Sequence, residues 1–106
     1  MDKIESAVRR ITEMESILDE ALRRMEKAEE DPKALLDYQP ALKRLEEYYS
    51  SRDWKDDYAL DEAGLLPKNL KRGVLSEDGI YDALERNKEL MEWIGEREWL
   101  TWKLRH

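Results

Sequence analysis

From Asp2 to about Glu30 the apolar residues Ile4, Val8, Ile11, Leu18, Leu22 and Met25 recur at alternating spacings of three and four. Glu15 interrupts the series, and Met14 and Ile17 widen its face. A helix turning every 3.6 residues gathers such positions on one side, so the pattern predicts one long helix over 2–30. At a rise of about 1.5 Å per residue it would run roughly 40 Å, longer than a compact domain of this size is wide. Glu5 with Arg9, Asp19 with Arg23 and Glu20 with Arg24 each place the acid four residues before the base, the favourable orientation on a helix surface.

Asp31-Pro32 closes this helix, because the residue before proline is pushed out of the helical region. A second helix over 33–51 carries Leu35, Tyr38, Leu42, Leu45 and Tyr49 on one stripe, with Pro40 kinking it or marking its start. So short a connection predicts an antiparallel hairpin. A short helix over 53–63 sets Trp54 and Tyr58 on one side and stops at Gly64. A crossover spans 64–75. In it, Pro67 and Gly73 bracket "PKNLKR" as a short helical turn anchored by Leu65, Leu66, Leu70, Val74 and Leu75. Ser76 caps a last helix over 77–104, whose inward stripe is Ile80, Leu84, Asn87, Met91 and Ile94. After Ile94 the stripe turns polar, so a break is expected near Gly95. The expected architecture is a single all-α domain: an elongated three-helix bundle with a short extra helix and an ordered crossover.

Composition agrees with helices: 42% of the 106 residues are charged and 41% hydrophobic. The net charge of -7 repels polyphosphate, so nucleic acid is not an expected partner. Mixing of acids with Lys and Arg along the first helix also speaks against an acidic imitation of nucleic acid. No apolar run approaches the roughly 20 residues of a membrane span, and a cytoplasmic location is expected.

Candidate chemistry is sparse. There is no cysteine, and the one histidine is His106, so neither a zinc site nor a nucleophile–histidine pair can be assembled. The four glycines match no phosphate-binding fingerprint. The chain is therefore expected not to be an enzyme and to need no cofactor. Asp53, Asp57 and Asp61, with Asp56 nearby, could offer two ligands to a hard cation, but spacing of this kind is common in an acidic chain and reads as a solvated face.

Two places stand out. Between Ala63 and Leu75 there is no acid, while Lys68, Lys71 and Arg72 carry positive charge. These cations either neutralise neighbouring acids or form a patch for an acidic segment, a small anion or a nucleotide. The second place is "WIGEREWLTW" at 93–102, where Trp99 and Trp102 lie on one side of a helix and Trp93, Leu100 and Leu104 on another. One packed face cannot bury all of these. Either the tail bends at Gly95 onto the body, or it docks a protein partner or a second copy, since tryptophan is enriched at interface centres. A membrane-surface role is disfavoured by Glu96 and Glu98. The favoured expectation is a non-catalytic protein-interaction module.

"RITEMESILDEAL" at 10–22, "LEEYYSSRDWKDDYALDEAGLLP" at 45–67 and "LKRGVLSEDGIYDAL" at 70–84 resemble the bacterial family called domain of unknown function 4298. The resemblance covers most of residues 8–92. It implies a small bacterial helical protein of uncharacterised function, and supplies no catalytic or ligand residues. The chain departs from the pattern at Asp31-Pro32 and in the tryptophan-rich tail.

Overall fold

The computed structural model describes residues 2–106. They form an all-α body 58 Å long and 23 by 22 Å across. α1 spans Lys3–Glu26, α2 Pro32–Asp37, α3 Gln39–Tyr49, α4 Arg52–Glu62 and α5 Glu77–Arg105, with a single 3-10 turn at Gly73–Leu75.

α1 begins where the Asp2 carboxylate accepts the Glu5 N–H at 2.8 Å. Its buried line is Ala7, Ile11, Met14, Leu18, Ala21 and Met25, with Ile17 beside it. The centre is therefore rotated from the expected stripe. Ala7 and Ala21 are fully buried, Val8 and Leu22 are partly buried against the core, and Ile4 is exposed. α1 packs against every other helix and the 3-10 turn.

Two predicted helix ends are corrected. α1 ends at Glu26, not near residue 30, and Asp31-Pro32 starts the next helix: the Asp31 carboxylate accepts the Ala34 N–H at 3.2 Å and Pro32 fills the first helical turn. The predicted helix over 33–51 is two helices broken at Tyr38. Pro40 has no N–H for the Leu36 carbonyl, so the chain closes a tighter turn there and restarts. Tyr48, not Tyr49, is the buried tyrosine of α3.

Arg24 donates to the Ala34 carbonyl at 2.7 Å, Glu13 pairs with Arg44, and Arg10 reaches Asp57 beyond the end of α3. Rising numbers on one side meet falling numbers on the other, so α1 and α2–α3 are antiparallel. α5 starts beside the middle of α1 and passes Glu29 at Arg97, so it runs parallel to α1. Gln39 and Asn87 exchange two amide hydrogen bonds, at 2.9 and 3.0 Å, and tie α5 to α3.

α4 ends as expected at Gly64, whose φ of 71° suits a residue without a Cβ. Leu65 N–H returns to the Leu60 carbonyl at 3.0 Å. "PKNLKR", however, is not a helix. Only the Leu70 N–H to Pro67 carbonyl bond closes a turn within it, too little to offset the entropy of nucleating a helix. Leu66, Val74 and Leu75 anchor the crossover in the core, whereas Leu65 is exposed.

α5 is also corrected. It runs unbroken through Gly95 for 29 residues, because one interior glycine weakens a helix by only about 1 kcal/mol. Ile80, Ala83 and Ile94 are buried; beyond Ile94 no residue is. Among the described residues no helix is long and apolar enough to cross a membrane.

Candidate functional site

The crossover is fixed by two side chains to which the sequence pattern assigns no part in it. Glu15, buried on α1, accepts the Val74 N–H at 2.6 Å. Trp54, buried on α4, donates its indole N–H to the Val74 carbonyl at 2.8 Å. Both backbone polar groups of the buried residue Val74 are thus satisfied by side chains from different helices. Gly73 makes room for this. A Cβ there would lie 3.0 Å from Glu15 Oε1, so the glycine serves close approach and does not stop a helix.

Of the three cations at this corner, two are neutralised within the molecule. Lys71 Nζ meets Asp19 Oδ2 at 2.9 Å, which raises the lysine pKa. Asp19 is thereby drawn away from Arg23, which pairs with Glu20 instead. Arg72 pairs with Asp61 and donates to the backbone carbonyls of Pro67 and Leu70, the latter at 3.1 Å. Lys68 is exposed and makes no ion pair among the described residues.

The aspartate face of α4 is corrected too. Asp57 has 0% exposure, so this is not a uniformly solvated surface. Arg10 grips it with two bonds, Nη2 to Oδ1 at 2.6 Å and Nε to Oδ2 at 3.1 Å, while the Tyr48 hydroxyl donates to Oδ2 at 2.8 Å. The hydrogen bond to Asp57 raises the Arg10 pKa, and burial followed by the same carboxylate pushes Tyr48 upward. Asp57 lies three residues after Trp54 and Asp61 seven after it, which is the inward line of α4. That spacing was the available signal. Among the described residues no cluster of three or more carboxylates or histidines is arranged to hold a metal.

The tryptophan tail presents a different surface. Trp93 is half-buried, with the Arg97 guanidinium 4.7 Å above its ring. Past it, Trp99 is 55% exposed, Leu100 53%, Trp102 59% and Leu104 89%. Lys103 lies 4.7 Å over Trp99, and Trp102 stacks on His106 at 4.7 Å. The last polar contact with the body is Arg97 to the Glu29 carbonyl, at 3.5 Å. Trp102 and Ile94 also border a cleft of about 340 Å³ against Pro32. The tail does not fold back onto the body. Nor are the basic corner and the tail brought together: Lys71 pairs with Asp19 and Arg72 with Asp61, whereas Trp99 and Trp102 lie past Arg97, which reaches the Glu29 carbonyl.

These features define an elongated all-α protein in which a buried carboxylate on the central helix and a buried indole on α4 lock an irregular crossover, and a final helix projects past the core. The chain belongs to the family described as a domain of unknown function (DUF4298), whose family model matches residues 11–95. Arg10 lies just before that span, Glu15, Asp57 and the crossover lie within it, and Trp99 and Trp102 lie outside it. No curated protein and no solved structure matches the chain.

Proposed function

We propose that the protein is a non-catalytic protein-interaction module whose contact surface is the projecting end of α5. The supporting observation is the exposure of Trp99, Leu100, Trp102 and Leu104 on one helix beyond its last buried residue, Ile94. Isolated exposed apolar residues are ordinary, but four large ones within six positions, Trp99 and Trp102 on one side of the helix and Leu100 and Leu104 on another, are a concentration of the kind that marks binding surfaces. Trp99→Ala with Trp102→Ala tests the reading. Chemical cross-linking in native cells should join the wild-type chain to a partner, and the double variant should lose that adduct at an unchanged melting temperature. A variant that keeps every adduct rules the surface out.

A small anion or nucleotide at Lys68, Lys71 and Arg72 has less support. Lys71 and Arg72 already have Asp19 and Asp61, so a ligand would have to displace two carboxylates. On this reading, phosphate leaves the melting temperature unchanged; a rise abolished by Lys71→Ala with Arg72→Ala would favour the anion instead.

A further inference from the structure

The projecting helix carries unpaired charges in a self-complementary order. At 100° per residue, Trp93, Glu96, Leu100, Lys103 and Leu104 recur at spacings of three and four and form one stripe, with Trp99 at its edge. Glu96 and Lys103 follow Ile94 by two and nine residues, so both point away from the core that buries Ile94. Neither takes part in an ion pair among the described residues.

We infer that this stripe, which holds Trp99, Leu100 and Leu104 of the interaction surface proposed above and rests on that reading, binds a second copy of the same chain with the two α5 helices antiparallel. The charge order argues for that occupant and that direction. Place a two-fold axis between Trp99 and Leu100: Glu96 of each copy then faces Lys103 of the other, giving two opposite-charge contacts, while Trp99 and Leu100 of each copy meet at the centre. A parallel pair in register would set Glu96 against Glu96 and Lys103 against Lys103. Two-fold pairing needs a surface complementary to itself, and this order provides it. Sterics allow it as well. The axis lies about five residues, or roughly 8 Å, past Ile94, and the body touches these turns through Glu29 and Pro32 on the side of α5 that buries Ile94, whereas Glu96, Leu100 and Lys103 are turned away from that side. Lys103 can keep its place over Trp99 in the pair, since its ammonium spans both groups. Three turns of helix offer less than the about 800 Å² per partner of a standard interface, so the dimer is concentration-dependent.

Sedimentation equilibrium from micromolar to millimolar chain is the test. The wild type should shift from monomer to dimer. Glu96→Lys alone and Lys103→Glu alone should each weaken association at least tenfold, and an equimolar mixture of the two should restore it as a mixed dimer, because each then supplies the charges the other lacks. Both positions are exposed, so circular dichroism should give wild-type melting for each variant in dilute solution. A chain that stays monomeric throughout overturns the pairing; the interaction reading then survives only if the cross-linked adduct with a different protein is lost in the double tryptophan variant. A dimer indifferent to both charge reversals overturns the antiparallel register.

Discussion

A carboxylate with no exposure stays charged only while its neighbours replace the water it has lost, and Asp57 relies on Arg10 and Tyr48 for that. Arg10 is itself partly in water, so the two ends of the pair are not equivalent. Arg10→Ala strands a buried anion and should lower unfolding free energy by about 3–5 kcal/mol in urea denaturation. Asp57→Ala should cost less, because the guanidinium can turn to solvent. Tyr48 adds a pH dependence. Burial and the Asp57 carboxylate raise its folded pKa above the unfolded value of about 10, so its contribution is fully present below that pH and is lost as pH rises above it. Stability should therefore fall above about pH 10, and Tyr48→Phe should flatten the fall while lowering stability near neutral pH through the lost hydrogen bond. At this scale the sequence is least legible. One aspartate in an acidic chain looks like any other until the Trp54, Asp57 and Asp61 line is recognised as facing inward.

Along whole elements, periodicity located α1, α4 and α5 but ran α2 and α3 together, and it did not fix the ends. Apolar spacing is a property of many residues and survives local exceptions, whereas ends depend on single side chains such as Asp31, Pro40 and Ser76, whose roles are settled by what surrounds them. The crossover shows the limit best. Its proline, glycine and leucines fit a short helix by type, yet Arg72 from within it, and Glu15 and Trp54 from other helices, satisfy its backbone, so no helix is needed. Glycines 73 and 95 separate the two kinds of position. Gly73→Ala forces the Glu15 carboxylate away from the Val74 N–H and should destabilise by about 1–3 kcal/mol. Gly95→Ala meets nothing within 4 Å inside a continuous helix, and should stabilise by about 0.5–1 kcal/mol. Thermal melting of the two variants should move in opposite directions.

Over the whole molecule, the 58 Å length joins a packed bundle to a helix that outruns it. The expectation of a break at Gly95 rested on the inward stripe turning polar after Ile94, and a tail bent onto the body was one of the two readings of its tryptophans. What it missed is that α5 gains its stability upstream, where Ile80, Ala83 and Ile94 are buried, and carries the next turns outward as a continuation of the same hydrogen-bonded ladder. Burial should therefore divide α5 sharply. Ile94→Ala removes a side chain that is 2% exposed and should lower stability by about 2–5 kcal/mol. Trp99→Ala or Leu104→Ala, only a few residues on, should change it by less than about 0.5 kcal/mol in dilute solution, despite the larger apolar surface of tryptophan. Amide exchange should show the same division, with strong protection from Ile80 to Ile94 and little from Glu98 to Arg105, where opening requires no core contact to break. Raising the chain concentration should then protect the amides around Trp99 and Leu100 without altering those around Ile80. Equal protection along all of α5 in the dilute monomer would mean that the final turns are held by the body after all, and would leave no free surface there to bind anything.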